Sequence, residues 1–375
     1  MAEKRILMSV GDDSADLHAA HLMRAMRERE PQLRFVGFGM GRMQAAGLEP
    51  LEESRDSAMW LHNVLRIGDF RQRLRRCEEL FERGEVDLFV PVDFGGFNLY
   101  ACRAASRHGV PVFYYIPPQV WAHGRYRLKK LRKWTTRVGL IYPFEPPLYE
   151  RYGVDARYVG HPLFDELAEN RPSEEVVAGL RERFGRQLVG VFPGSRLQEV
   201  RAHARMLAEC CRRVLCDCPD AAFALICPAG IRPEAERLLG EAEAPIELLQ
   251  DVRPVELARA ARLCLTKSGT ITLEIASQGT PMVIFYRTNP LLYFIASGLS
   301  DSPYAGLANV LAGREVCPEK VMARDEPGWL AHHALRFLQS EEDHAACRRA
   351  IEGALNGFAR PGASERAADA ALELL

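Results

Sequence analysis

The sequence lacks several features that would assign it to a special class of protein. Its 375 residues carry 49 basic and 50 acidic side chains, a formal net charge of −1, so bulk charge indicates neither a nucleic-acid binder nor an acidic tail. The most apolar later stretch, 290–299, is far shorter than the ~20 residues that span a bilayer. The first residues, MAEKR, run directly into a short apolar strand, so we expect no signal peptide.

Cysteine is present but has no recognisable framework. Four of the ten cysteines cluster without paired C-x-x-C motifs or a histidine pair: Cys210, Cys211, Cys216 and Cys218. A zinc site there is the weaker alternative, and we expect reduced thiols that pack as small apolar side chains. The G-x-x-x-x-G-K-[ST] phosphate loop of ATPases is also missing.

The apolar pattern predicts an α/β fold with parallel sheets, because short apolar runs alternate with longer amphipathic stretches. The predicted strands are 5–10, 33–38, 87–92, 110–116, 138–142, 156–159, 188–192, 222–227, 246–249, 263–265 and 281–285. A polar stretch at 166–176 separates two series of units. We therefore predict doubly wound, Rossmann-like lobes over 1–168 and 169–345, with the active site in an interdomain cleft. A helical segment over 346–375 follows, and packing back on the first domain is one option for it.

Two strand-to-helix turns in the second half are typical of phosphate binding. In the first, Gly194 permits close backbone approach, Ser195 can cap the helix and Arg196 can grip a phosphate. The alternative is an ordinary turn whose arginine faces solvent. In the second, Ser268, Gly269 and Thr270 open a helix, and Glu274 lies one turn later, where its carboxylate can accept the hydroxyls of a ribose. The alternative there is an exposed helix glutamate. Together the two turns indicate a nucleotide diphosphate.

The first half offers a candidate general base and an acidic helix start. Asp93 closes a buried-looking strand at its carboxyl end and can act as a base, or it simply begins a turn. The residues 11–16, GDDSAD, open the first helix, and capping alone explains most of that pattern.

Two segments of the first half combine basic and apolar side chains. Residues 121–137 form an amphipathic helix with a cationic face that suits phosphates or an anionic lipid surface, the alternative being a merely solvated face. The apolar patch around Met59, Trp60 and Leu61, followed by four arginines within 71–76, is either core or a lip that touches a membrane.

These motifs, in this order along nearly the whole chain, resemble those of the lipid-A-disaccharide synthase family. The matching blocks are Phe35-Val36-Gly37 with Arg42-Met43-Gln44, Val92-Asp93 with Phe97-Asn98, Val120-Trp121-Ala122, Tyr142-Pro143-Phe144-Glu145, Gly160-His161-Pro162, Pro193-Gly194-Ser195-Arg196, Ser268-Gly269-Thr270 with Leu273-Glu274, and Asn309 to Glu315.

The resemblance implies a GT-B fold and an inverting transfer from UDP-2,3-diacylglucosamine to 2,3-diacylglucosamine 1-phosphate. It makes Asp93 the base and assigns the two phosphate turns and Glu274 to the donor. The implied acceptor or cleft residues are Gly11, Ser14, Asp16, Asn98, Trp121, Asn309 and Arg314. No metal, cofactor or nucleic acid is implied. The implied location is peripheral, on the cytoplasmic face of the inner membrane, and a homodimer is possible.

The departures from the family pattern lie in or near the presumed acceptor side, and they include Gln119 in place of a serine before Trp121 and Met322 in place of a glutamine. Two others bear most directly on activity. The first loop, usually Gly-Glu-x-Ser-Gly-Asp, has Asp12 and Ala15, and Gly96 stands where a second aspartate is usual. These changes keep open a divergent paralogue that binds nucleotide sugar or lipid without turnover. A UDP-sugar epimerase of the same architecture is a second alternative.

Overall fold

The computed structural model describes residues 3–52, 67–122, 124–194, 196–227, 229–287 and 303–375. The chain divides into two compact units: Met1–Ala168 with Arg360–Leu375, and Glu169–Ala359. The apolar patch at 59–61, the apolar stretch 290–299 and Ser195 lie outside the described residues.

The first unit contains a four-stranded parallel sheet in the order β3-β2-β1-β4 and a three-stranded parallel sheet in the order β5-β6-β7. The strands are β1 (Arg5–Ser9), β2 (Arg34–Phe38), β3 (Leu48–Pro50), β4 (Leu88–Pro91), β5 (Phe113–Tyr115), β6 (Arg137–Leu140) and β7 (Ala156–Tyr158). The helices are α1 (Asp13–Arg29), α2 (Gly41–Ala45), α3 (Ile67–Glu82), α4 (Gly95–Arg107), α5 (Tyr126–Trp134), α6 (Pro146–Arg151) and α7 (Leu163–Glu169). Isolated bridges from Phe89 to Val112 and from Val92 to Tyr115 connect the two sheets.

The second unit has a six-stranded parallel sheet in the order β10-β9-β8-β11-β12-β13. Its strands are β8 (Leu188–Phe192), β9 (Ala222–Leu225), β10 (Glu247–Leu248), β11 (Leu263–Lys267), β12 (Met282–Arg287) and β13 (Glu319–Met322). Its helices are α8 (Glu174–Phe184), α9 (Leu197–Asp217), α10 (Arg232–Glu241), α11 (Pro254–Ala260), α12 (Ile271–Ser277), α13 (Leu307–Ala312), α14 (Pro327–Gln339) and α15 (Glu341–Leu355).

The carboxyl-terminal helix α16 (Ala363–Leu372) belongs to the first unit. The Asp165 carboxylate accepts hydrogen bonds from the backbone amides of Gly362, Ala363 and Ser364, at 2.6, 3.0 and 2.7 Å. An acid at a helix start satisfies free amides and suits the helix dipole. The predicted boundary at 345/346 does not follow this arrangement, because it falls inside α15, whose Cys347, Ile351 and Leu355 are buried within the second unit.

Strand order decides where the loops of each unit lie. In each sheet the strand order reverses at one strand: β1 lies between β2 and β4, and β8 lies between β9 and β11. Such reversals leave a crevice at the carboxyl ends of the strands, where ligands of doubly wound sheets bind. The loops after β1 and β4 therefore lie side by side, as do the loops after β8 and β11.

Candidate functional site

Asp93 follows β4 in an unusual backbone conformation. Asp93 and Phe94 both have positive φ, 50° and 48°, which costs an ordinary residue roughly 1–2 kcal/mol. Three hydrogen bonds hold the turn. The Asp93 amide donates to the Tyr115 carbonyl at 3.1 Å, and the Asp93 carbonyl accepts from the Tyr114 hydroxyl at 2.7 Å and from Asn98 Nδ2 at 2.8 Å. The backbone that carries the carboxylate is thus held by its neighbours.

The surroundings of Asp93 raise its pKa to about 6, first because burial disfavours the charged form and second because the Asp12 carboxylate repels it. The residue nevertheless keeps contact with solvent. The carboxylate is therefore largely ionised at neutral pH, reachable by a substrate, and basic enough to accept a proton near pH 7.

The loop after β1 packs against the Asp93 turn. A side chain on Gly11 would overlap the Phe94 ring, so only glycine fits there. Asp12 caps α1 by accepting from the Ala15 amide at 2.9 Å. Ser14 is exposed, and its hydroxyl lies 3.3 Å from His18 Nε2.

Two residues predicted to line the acceptor site instead hold the backbone around it. Asp16 is buried, and its two carboxylate oxygens accept from the amides of Met40 and Arg42 at 2.6 and 3.0 Å. Asn98 is fully buried, and its amide oxygen accepts from the Ser9 hydroxyl at 2.8 Å while its nitrogen donates to the Asp93 carbonyl. Both side chains position the strand ends.

An aromatic cluster contains the predicted residue Trp121, which is half-buried. Its ring contacts Tyr142 and Phe144 edge-on at centroid distances of 5.8 and 5.2 Å. Glu145 is buried behind them and accepts from the Tyr142 amide at 3.0 Å, and burial raises its pKa to about 7. Glu145 belongs to one of the blocks that resemble the family, but the sequence pattern does not indicate its burial.

In the second unit, β8 and β11 pair in parallel, with Phe192 beside Thr266. The loop after β8 contains Gly194, at φ 121°, where a Cβ would overlap the Glu199 side chain. Arg196 is exposed at the start of the 21-residue α9, and its amide donates to Glu199 Oε2 at 3.2 Å. An exposed guanidinium at the start of a long helix is suited to bind an anion.

In the turn after β11, the hydrogen-bond donors that remain available to a ligand differ from those predicted. The Ser268 amide donates to the Phe285 carbonyl at 2.8 Å and its hydroxyl to the Ala305 carbonyl at 2.9 Å, so both Ser268 donors are used within the protein. Gly269 and Thr270 are exposed, and neither amide donates a hydrogen bond to another described residue. A Cβ on Gly269 would meet open space. Glu274 is half-buried one turn into α12.

Asn309 and Arg314 lie in very different surroundings. Asn309 is fully buried, accepts from the amides of Val316 and Cys317, and donates to the Cys317 carbonyl and to Glu319. Glu319 in turn binds the amides of Ala305 and Gly306, the segment that receives the Ser268 hydroxyl. Asn309 therefore positions a loop. Arg314 is exposed and forms no ion pair with any described residue.

Two further observations concern metal ions and membranes. Within the described parts of the chain, no group of three or more histidine, cysteine, aspartate or glutamate side chains is arranged to hold a metal ion. Among the same residues, no helix is both long and apolar enough to cross a membrane.

Solved structures with the same architecture define the class of protein. The UDP co-structure of S. aureus MnaA superposes with a TM-score of 0.65 at 14% identity, covering 96% of this chain and 94% of that one. Acinetobacter baumannii MurG gives a TM-score of 0.61 at 12% identity, covering 99% of both chains. The chain thus has the GT-B fold of two Rossmann-like units, as predicted.

Sequence relatives narrow the class to one family. The model of the lipid-A-disaccharide synthetase family matches residues 6–373, and the chain belongs to that family. The lipid-A-disaccharide synthase of Geobacter sulfurreducens is 33% identical, over 99% of this chain and 97% of that protein. The Coxiella burnetii enzyme of the same name is 30% identical, over 96% and 94%. The family resemblance stated from the motifs is therefore confirmed.

Proposed function

We propose that this protein transfers 2,3-diacylglucosamine from its UDP derivative to 2,3-diacylglucosamine 1-phosphate, forming the lipid A disaccharide 1-phosphate and UDP. The observation that carries this proposal is a pair of equivalent crevices. One presents the carboxylate of Asp93, whose pKa is raised. The other presents exposed Arg196 after β8 and exposed Gly269 and Thr270 after the neighbouring β11, and the amides of these last two donate to no other described residue. Membership of the family supports this choice of sugars.

In the proposed reaction, Asp93 accepts the proton of the acceptor 6-hydroxyl while that oxygen forms a bond to the anomeric carbon of the donor. The bond from that carbon to the UDP oxygen breaks on the opposite face, so the configuration inverts. General-base catalysis of this kind contributes typically ~10²–10⁴ in rate. The Tyr114 and Asn98 hydrogen bonds support this role, because they hold the backbone that carries the carboxylate.

The donor is proposed to bind in the second unit. Arg196, Gly194 and Ser195 would hold the phosphates at the start of α9, and the Gly269 and Thr270 amides would add neutral donors. Glu274 would accept from the ribose hydroxyls. Ser268 would act through its hydrogen bond to Ala305, which orders the adjacent loop, rather than by donating to phosphate.

We also propose that the first unit binds an anionic membrane surface through a basic face on α4 and α5. Its exposed cations are Arg103, Arg107, Arg125, Lys129, Arg132 and Lys133, and neither helix carries an acidic residue. Tyr126, 61% exposed, lies beneath Lys130 Nζ at 5.4 Å. Each cation near an anionic bilayer contributes about 1 kcal/mol. Flotation with vesicles of anionic or neutral lipid tests this; equal binding to both would contradict it.

The decisive experiment is incubation of the purified protein with UDP-2,3-diacylglucosamine, with and without the monophosphate acceptor, followed by detection of UDP and of the disaccharide. We expect UDP release only when acceptor is present. Isomerised donor without UDP release would support an epimerase instead. Donor binding without either product would identify a paralogue that has lost turnover.

A further inference from the structure

A charged pair connects the two donor loops of the second unit. Glu199, in the first turn of α9, accepts from the Arg196 amide through Oε2 and from Lys267 Nζ through Oε1 at 2.7 Å. Lys267 is the last residue of β11 and directly precedes Ser268. Both side chains are largely enclosed, with exposed fractions of 22% for Lys267 and 17% for Glu199.

Glu199 by itself is unfavourable at a phosphate site. A carboxylate in the first turn stabilises the helix, because it interacts with the positive end of the helix dipole. For the same reason it competes with any bound anion, and it lies against Gly194, where a Cβ would overlap it. Like charges a few ångströms apart repel strongly where water is partly excluded.

Lys267 offsets the repulsion between the Glu199 carboxylate and a bound anion. Burial alone would raise the pKa of Glu199, but the hydrogen bond and charge of Lys267, with the Arg196 amide and charge, outweigh burial and lower it. The carboxylate is therefore ionised and its charge is balanced by the ammonium. The positive charge of Arg196 then remains available to a ligand. Lys267 also lies 5.7 Å from the centre of the Tyr286 ring, a favourable position for a cation.

We propose that Lys267 is a positioning residue of the donor site, which neutralises Glu199 so that the start of α9 accepts a diphosphate. This inference rests on the proposed donor site. It differs from a purely structural role, because it predicts that removing the carboxylate charge repairs the loss of the ammonium.

The test is a double-substitution cycle with UDP as the probe, measured by calorimetry. Lys267→Met leaves Glu199 unbalanced, and we expect UDP to bind about tenfold more weakly, equivalent to about 1.4 kcal/mol. Glu199→Gln keeps an acceptor for the Arg196 amide, so K267M/E199Q should recover most of that loss. Uridine, which carries no phosphate, should inhibit UDP binding equally well in all variants.

Lys320→Met is the matched control, since Lys320 lies on β13 and pairs with Glu326 instead. UDP affinity in K267M equal to that in K320M would overturn the inference. So would a K267M/E199Q variant that binds UDP as weakly as K267M, because the pair would then act only through local structure. Failure of the unsubstituted protein to bind UDP would instead overturn the donor site itself.

Discussion

The two units place opposite charges at equivalent points of their sheets. Beside the reversal at β1, the first unit brings together the carboxylates of Asp12 and Asp93. Beside the reversal at β8, the second unit brings together Arg196 and Lys267 around the single carboxylate Glu199. The backbone geometry is shared, and the side chains differ.

The comparison shows that the fold forms a crevice in each unit, and that the charged side chains around each crevice determine its chemistry. Burial and a second carboxylate nearby raise a pKa and create a base, whereas two cations around one carboxylate create a site for an anion. Substitutions in the first unit should therefore change kcat, and substitutions in the second should change the affinity for UDP.

The largest expected effect is that of Asp93→Asn. Asparagine tolerates positive φ, so the turn should persist while the base is lost. We expect kcat to fall by about 10²–10⁴-fold, with UDP affinity largely unchanged. Steady-state kinetics and calorimetry measure the two quantities. Retained turnover would remove Asp93 as the base, and a parallel loss of UDP affinity would break the division of roles between the units.

A smaller effect is expected for Arg196→Ala in the second unit. Loss of a charge-assisted contact to phosphate should raise the KM for the donor by about 30-fold, with a lesser effect on kcat. Arg205→Ala is the matched control, because Arg205 is also exposed on α9 but lies more than two turns further along. Equal behaviour of the two variants would show that Arg196 does not face the donor.

Tyr114→Phe should have a more modest effect on kcat. It removes the 2.7 Å hydrogen bond to the Asp93 carbonyl, and a bond of this kind contributes about 1 kcal/mol, or about fivefold. Tyr149→Phe is a close control, because the Tyr149 hydroxyl is also buried but has no hydrogen-bond partner among the described residues. If both variants lose the same activity, the Asp93 turn does not depend on Tyr114.

Much of the fold was predictable from periodicity. Each strand predicted from the apolar pattern overlaps an observed strand, because strands buried on both faces appear as short apolar runs. The edge strands β3 and β13 and the helix α13 were not predicted. They are three to six residues long and carry too little pattern to separate from loops.

The candidate site was less accessible to sequence reasoning. Spacing located Asp93 and Arg196 at strand ends. It did not show that the side chains of Asp16, Asn98 and Asn309 form hydrogen bonds with backbone groups. The bonds of Asn98 and Asn309 depend on the conformation of nearby turns, and the Asp16 bond to Met40 joins residues 24 positions apart. The Glu199–Lys267 pair is of the same kind, since its members are separated by 68 positions and only sheet order brings them together.

The finest test of the charge difference is the pH dependence of Asp12→Asn. The base works when ionised, so activity should decline as the pH falls through the Asp93 pKa of about 6. Asparagine still caps α1 but removes the charge that helps to raise that pKa. The acidic limb of the kcat/KM profile should therefore move to lower pH, while its plateau stays similar. Asp13→Asn, one residue further on and also exposed, is the control and should leave the limb in place. A limb that moves to higher pH would mean that Asp12 does not repel the base.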